Sequence, residues 1–240
     1  MDVGRWAFLF CAMLSAIIVA GGSSQRMGFD KLFAVIAGEP VIAHSIRAFE
    51  HASSVSEIVV VARNERHDEI RKISRAAGFK KVRSIEPGGE RRQDSVRAGL
   101  DRIDHAAKYV AVHDAARPLI TPEQIERAFE QCRVHGSAAL SQPVNDTLKR
   151  ADADLLVVGL VDRHQLYAMQ TPQIFERKLI EDAYRDVDAE KASVTDEVSA
   201  VERLGHKIAL VLNDDFNFKI TYPRDLKLAE MVLQGRGPHG

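Results

Sequence analysis

Cysteine is scarce: the chain has 2 in 240 residues. Cys11 and Cys132 cannot build a disulfide framework, and they lack metal-ligand spacing. They read as ordinary thiols of a reducing compartment. An excess of one charge is missing too, with 33 Lys and Arg against 34 Asp and Glu. That balance argues against a nonspecific nucleic-acid binder and against a polybasic membrane binder. No internal repeat, low-complexity tract or clear linker interrupts the chain. The longest apolar run, Trp6 to Ala20, is broken only by Ser15, follows Arg5, and falls short of the about 20 residues of a membrane span. It has the form of a signal-peptide core, so export or anchoring is one reading of it. In the other reading, Ala16–Ala20 enters Gly21-Gly22-Ser23-Ser24 as a buried parallel strand enters a phosphate loop. Cleavage near Ala20 would remove that strand. Met13 then serves as an alternative start, residues 1–12 form an extension, and a cytoplasmic location is expected.

What the chain does have is apolar content, at 45% of residues, enough for the core of one large α/β domain. Short β-branched runs at Ala16–Ala20, Ile58–Ala62, Val82–Ile85, Tyr109–His113, Ser137–Ser141 and Ile208–Leu212 read as strands. Helical stripes lie between them: Val96, Leu100 and Ile103 in one, Ile125, Phe129 and Cys132 in another. Thr121-Pro122 opens the second, with proline suited to a first helical turn. The alternation predicts a Rossmann-like, mostly parallel sheet flanked by helices. Between Val144 and Gln173 the pattern changes. Asp146–Arg150 and Leu156–Leu160 flank a polar turn and predict an inserted β-hairpin arm, at about residues 143–165. A lone hairpin is marginal in water, so the arm is expected to pack on a second subunit. The body then spans residues 13–234, with Gly235–Gly240 as a frayed tail.

Three stretches carry the chemistry. Ala20-Gly21-Gly22-Ser23-Ser24-Gln25-Arg26-Met27-Gly28, followed by Asp30-Lys31, puts small residues after a buried strand. Their backbone N–H groups can approach phosphate oxygens, and they tolerate unusual backbone angles. Arg26 and Lys31 add positive charge that would stabilise an attacked phosphorus. Neither the P-loop nor the dinucleotide-binding glycine pattern is present. In the second stretch, His113-Asp114-Ala115-Ala116-Arg117-Pro118, Asp114 ends a parallel strand, where open α/β sheets bind ligands. It could hold a Mg²⁺ bridging triphosphate oxygens, or serve as a turn aspartate; His113 reads as structural. In the third, Gly88-Gly89-Glu90-Arg91-Arg92-Gln93-Asp94-Ser95, a glycine turn meets a helix start. Backbone groups there could read a base while Arg92 meets phosphate, with Asp94 or Ser95 as alternative caps. Thr195 reads as the N-cap of a helix whose buried stripe is Val198, Val201 and Leu204. Lys219, in Asn217-Phe218-Lys219, is a cation beside a helix start.

In this order the motifs resemble those of the 2-C-methyl-D-erythritol 4-phosphate cytidylyltransferases, CTP-dependent homodimeric enzymes of the non-mevalonate isoprenoid pathway. The resemblance runs from about Ser15 to Leu233. It also includes Pro143-Val-x-Asp-Thr147-x-Lys-Arg150, Asp162-Arg163, Thr171-Pro-Gln173 and Thr195-Asp-Glu197. It implies Arg26, Lys31 and Lys219 as transition-state stabilisers, with Asp114 near a divalent metal. It implies Ala20, Gly21, Gly22, Gly89, Glu90, Arg92 and Ser95 around the nucleotide. Asp114, Ala115, Arg117, Thr147, Arg163, Thr171 and Thr195 fall around methylerythritol phosphate, some of them from the partner subunit through interlocked arms. The loop departs from the family's usual Pro-Ala-Ala-Gly and Pro-Lys-Gln. Its Ala-Gly-Gly, Arg-Met-Gly and Asp-Lys are similar to molybdenum-cofactor guanylyltransferases. A ribitol 5-phosphate cytidylyltransferase and a noncatalytic nucleotide-binding module are the competing readings.

Overall fold

The computed structural model describes residues 14–22 and 27–236. The extension expected at residues 1–12, with Cys11, lies outside the described residues, as do residues 23–26 and the last four positions. In chain order the elements are β1 (Leu14–Ala20), β2 (Val35–Ile36), β3 (Glu39–Pro40), α1 (Val41–His51), β4 (Val55–Ala62), α2 (His67–Ala76), β5 (Val82–Pro87), α3 (Arg92–Leu100) and β6 (Tyr109–Asp114). Then come α4 (Pro122–His135), β7 (Ser137–Pro143), β8 (Leu148–Ala151), β9 (Val157–Val161), β10 (Tyr167–Glu176), α5 (Arg177–Ala189), α6 (Glu197–Glu202), β11 (Ala209–Leu212) and α7 (Pro223–Arg236). A 3-10 turn, Asn64–Arg66, links β4 to α2.

The main sheet has seven strands in the order β11-β7-β10-β6-β1-β4-β5. It is parallel except where β10 pairs antiparallel with β6 and with β7. Every expected strand is present, and β10 was not foreseen. β1 and β4 carry apolar runs, Ala16–Ala20 and Ile58–Ala62, because helices cover both faces. Along β1, Ala16 and Ile18 join Ile46, Phe49, Ile125 and Phe129 from α1 and α4 on one face. Ile17 joins Val96, Leu100, Ile180 and Tyr184 from α3 and α5 on the other. Gly99 allows this closeness: a Cβ there would lie 2.5 Å from Ile17 Cγ2. At α4 the expected start holds, with Thr121 accepting from Gln124 N–H in a capping box and Pro122 in the first turn.

Several boundaries differ from expectation. Ile103 is buried but lies past the end of α3. Leu204, expected in a buried stripe, is 41% exposed because α6 stops at Glu202. Asp196, not Thr195, is the N-cap of α6; its carboxylate accepts from Ser199 N–H. Gly235 and Arg236 belong to α7 rather than to a frayed tail, and Arg236 bonds the Leu119 carbonyl at 2.7 Å. The predicted hairpin is β8 paired antiparallel with β9, Leu148 opposite Val161 and Arg150 opposite Gly159. It leaves the body between β7 and β10 with Leu155, Leu156, Val157, Val158 and Leu160 exposed.

Candidate active site

The carboxyl ends of β1, β4 and β6 meet the start of α3, where an open α/β sheet leaves a crevice. Ser95, on the first turn of α3, is buried and accepts from Gly89 N–H at 3.2 Å. A Cβ on Gly21 would come within 3.2 Å of the same hydroxyl, and one on Gly89 within 2.3 Å of Asp94 Cβ. Neither Gly21 nor Gly22 has positive φ. The glycines therefore permit close backbone approach, and the unusual angles expected of them are absent at these two. Asp94 does cap α3, accepting from Arg91 N–H at 3.0 Å.

Two clefts open here. The larger, of about 360 Å³, is lined by Ala20, Gly21, Gly22, Lys31, Gly89, Glu90 and Ser95, among others. The smaller, of about 220 Å³, is lined by Arg117, Met169, Thr171, Gln173, Thr195 and Asp196, among others. Arg92, Asp114 and Lys219 line both. The residues assigned by resemblance to the nucleotide thus gather in one cleft, and Arg117, Thr171 and Thr195 gather in its neighbour. Ala115 lines neither: it is fully buried, and its carbonyl accepts from Ser45. Ala116 lines the larger cleft instead. Thr147 and Arg163 are exposed on the arm and also line neither cleft. Arg26 lies outside the described residues.

The shared wall is a chain of charges. Asp114 receives Arg92 Nε at 3.2 Å on Oδ1 and Lys219 Nζ at 2.9 Å on Oδ2, with Arg117 Nε 3.7 Å away. Burial alone would raise its carboxyl; Arg92, Lys219 and Arg117 together outweigh burial and hold it well below the usual carboxylate range. Arg92 was expected to meet phosphate. It lines the larger cleft, and its fork grips the fully buried Glu197, at 2.6 and 3.0 Å. Burial opposes the Arg92 charge, but Glu197 and Asp114 raise its pKa above the ordinary value. Tyr184 donates to Glu197 at 3.0 Å. The guanidinium is therefore a bidentate strut between α3, β6 and α6.

Behind this wall, Thr171 Oγ1 accepts from Asp114 N–H at 3.1 Å and lies 3.0 Å from His113 Nδ1. His113 Nε2 faces the Arg117 carbonyl at 3.2 Å, and a carbonyl only accepts. The proton is assigned to Nε2, and Thr171 donates to Nδ1. Burial drives the pKa of His113 down to about 3, so the ring is a neutral structural spacer, as expected. Lys31 reaches the site from the other side, donating to the Ile220 carbonyl at 2.6 Å, next to Lys219.

Several participants were not picked out from sequence. Glu197 entered the sequence reading only within Thr195-Asp-Glu197, with no site role of its own. Gln173 accepts from Glu197 and Val198 N–H and donates to Asp196, which ties β10 to α6. Asn217 donates to Gln170 and to the Thr171 carbonyl, while Arg117 holds the Asn217 carbonyl at 2.7 Å. Arg63 also lines the larger cleft. Membership of the Thr171-Pro-Gln173 and Thr195-Asp-Glu197 motifs was the available signal for Gln173 and Glu197; Arg63 offered none.

As a chemical object the site can hold a polyphosphate against glycine backbone and cations, with a second anion beyond the Arg92–Asp114–Lys219 wall. Among the described residues no group of three or more His, Cys, Asp or Glu is disposed to hold a metal ion, and no helix is long and apolar enough to cross a membrane.

Residues 14–235 match the family model for 2-C-methyl-D-erythritol 4-phosphate cytidylyltransferase. A curated protein of that name from Caldanaerobacter subterraneus is 41% identical over 224 residues, covering 92% of this chain and 99% of its own. The chloroplastic protein of that name from rice is 37% identical over 222 residues, covering 92% and 74%. Among solved structures, the 4-diphosphocytidyl-2C-methyl-D-erythritol synthase of Anaerococcus prevotii superposes with a TM-score of 0.81 at 28% identity, covering 92% of this chain and 96% of that one. A second synthase structure gives 0.78 at 32% identity, covering 92% and 98%. With the same order of motifs, the same sheet and a matching model over nearly its whole described length, the chain belongs to the 2-C-methyl-D-erythritol 4-phosphate cytidylyltransferase family.

Proposed function

We infer that the protein is a nucleotidyltransferase that moves the cytidylyl group of CTP onto 2-C-methyl-D-erythritol 4-phosphate, a step of the non-mevalonate isoprenoid pathway. The products are 4-diphosphocytidyl-2-C-methyl-D-erythritol and pyrophosphate. The observation that carries this reading is the pair of adjoining clefts sharing Arg92, Asp114 and Lys219. An acceptor phosphate in the smaller cleft has its oxygen aimed at the α-phosphorus of a nucleotide in the larger. The new P–O bond forms as the bond from the α-phosphorus to the bridging oxygen breaks, and both electrons of that bond leave with pyrophosphate. No covalent enzyme intermediate is needed, so positioning and charge carry the rate.

Lys31 and Lys219 approach the shared wall from different parts of the chain, which suits them to stabilise the charge developing on the α-phosphate and the leaving group. Arg26 has the same role by resemblance. Gly21, Gly89 and Ser95 hold the nucleotide through close backbone contact. Arg117, Thr171 and Thr195 meet the acceptor. Asp114 is the residue that would hold Mg²⁺. Its ionised carboxylate suits an ion whose other ligands are phosphate oxygens and waters, although Arg92 and Lys219 each already occupy one of its oxygens, which the ion would have to share or take over. Such an ion would neutralise charge on the departing pyrophosphate.

The apolar residues of the arm, and the distance of Thr147 and Arg163 from both clefts, support a homodimer in which each arm completes the partner's acceptor site. A cytoplasmic enzyme with its CTP supply at hand is the matching location.

Pyrophosphate release from a panel of CTP, UTP, GTP and ATP against methylerythritol phosphate and ribitol 5-phosphate tests the assignment. Turnover restricted to CTP with methylerythritol phosphate is expected. Equal rates with GTP, or preference for ribitol 5-phosphate, would overturn it.

A further inference from the structure

Arg66 takes no part in the residue assignments above, yet its side chain is buried beneath the glycine-rich loop at 4% exposure. Nη1 bonds the Ala20 carbonyl, and Nη2 bonds the Gly22 carbonyl at 2.9 Å. Nε bonds Asp30 Oδ2 at 2.6 Å. Asp30 Oδ1 in turn accepts from Leu32 N–H at 3.2 Å, on the far side of Lys31. Beside it, Arg63 Nε holds the Gly21 carbonyl at 3.0 Å. Three consecutive loop carbonyls are therefore all held by arginines on the β4–α2 connection. Arg66 is itself fixed, because its N–H closes the 3-10 turn onto the Arg63 carbonyl at 2.9 Å.

The physical consequence concerns the loop's amides. In a planar trans peptide the N–H points opposite to the preceding carbonyl. With the Ala20 carbonyl held by Arg66, the Gly21 N–H is directed away from Arg66, which does not line the cleft. Free carbonyls at this place could turn towards a triphosphate and repel it. Arg66, which lies outside the cleft lining, takes the Ala20 and Gly22 carbonyls from behind and leaves the Gly21 N–H side for the anion, as in a phosphate nest. Arg63, which lines the cleft, neutralises the Gly21 carbonyl there. The same fork reaches the chain before the loop, at Ala20, and after it, at Asp30. It thereby sets the position of Lys31 relative to the Gly21 backbone. Lysine cannot replace it, since a single ammonium lacks the rigid planar fork.

We propose that Arg66, through Asp30 and the carbonyls of Ala20 and Gly22, is a positioning residue that orients the glycine loop and Lys31 for the nucleotide triphosphate. The proposal deepens the reading of the larger cleft as the nucleotide site and rests on it.

The test is steady-state kinetics on the full-length protein, varying CTP and methylerythritol phosphate separately, with R66Q, R66K, D30N and D30N/R66Q. R66Q should lower kcat/KM for CTP roughly 10- to 100-fold, as expected for a misplaced anion cradle, and change the KM for the acceptor by no more than about twofold. R66K should recover only a minor part of the loss. D30N should lose less than R66Q, and the double variant should be no worse than R66Q alone, because residues acting as one unit are non-additive. Equal KM changes for CTP and acceptor, strictly additive losses, or wild-type kinetics in R66Q would each overturn the proposal. If R66Q does not fold, the ratio of CTP to acceptor KM in R66K and D30N decides the same question. Titration calorimetry with CTP, run in parallel on wild type and variants, separates the two readings. A wild type that binds CTP without turning over methylerythritol phosphate sinks the assigned reaction alone, whereas unchanged CTP affinity in the variants sinks the role of Arg66.

Discussion

At the residue scale, the site is held by ions that neutralise one another before any substrate arrives. Glu197 has no exposure to water and relies on the Arg92 fork and Tyr184. Glu197→Gln removes the charge that stabilises a mostly buried guanidinium, so it should cost about 3–5 kcal/mol of stability, the usual penalty for breaking a buried pair. Chemical denaturation checks this, and a change below about 1 kcal/mol would show that Arg92 finds solvent instead. Lys31→Ala makes the opposite prediction. Lys31 borders the cleft, and its loss should reduce kcat about 100-fold or more while the melting temperature moves by only a few degrees. His113 has its pKa depressed by burial from 6.5 to about 3. A depressed folded pKa means that the unfolded chain binds the extra proton first. The stabilising contribution is therefore complete above about pH 6.5 and declines as pH falls from 6.5 towards 3. Asp114, also depressed, adds its own loss only below about pH 4, the unfolded carboxylate value. His113→Gln should flatten the stability profile between pH 6.5 and 4, as read from thermal melts across that range. An unchanged slope there would remove His113 from the account.

At the element scale, the arm and the strand that follows it behave differently, and they were unequally legible in the sequence. Strands such as β1 and β4 were readable because burial on both faces demands unbroken β-branched runs, as in Ile58 to Ala62. β10 escaped because Gln170, Thr171 and Gln173 lie in its interior, and those side chains are buried. They are tolerated because each is hydrogen-bonded, to Asn217, His113 and Asp196 respectively. No local pattern can announce partners so distant in the chain. The same limit hid Arg66 and the strut role of Arg92, while Gly21, Gly89, Ser95 and Asp114 were legible because they lie within compact motifs. Thr195 was misread as a cap by one position, since Asp196 offers an equally suitable oxygen. The arm was legible as a hairpin, and its exposed Val157 and Leu160 make it testable. Val157→Glu with Leu160→Glu should convert a dimer to a monomer in light scattering and lower kcat/KM for the acceptor at least tenfold. An unaltered mass with full activity would show that the arm serves another purpose.

At the scale of the whole molecule, the sheet is two blocks joined by a single strand. In the sheet, β11 and β7 are hydrogen-bonded to the block of β6, β1, β4 and β5 through β10. The larger cleft draws on that second block and, through Lys219, on the stretch after β11, whereas Met169, Thr171 and Gln173 of the smaller cleft lie on β10 itself. This arrangement dictates an order of assembly. β4 can pair with β1, and β5 with β4, through sequence-adjacent βαβ units. β6 must instead return past them to β1, joining Ile17 to Val112 across the longest loop closure in the sheet, and β10 can then dock on β6. In pulsed hydrogen exchange during refolding, amides of β4 and β5 should gain protection before those of β6, and the reverse order would overturn this account. The donor cleft of a two-substrate enzyme would thus be completed late, since Asp114 arrives with β6 and Lys219 only after β11. A chain stalled before then would offer the glycine backbone with neither Asp114 nor Lys219 beside it to complete the phosphate site.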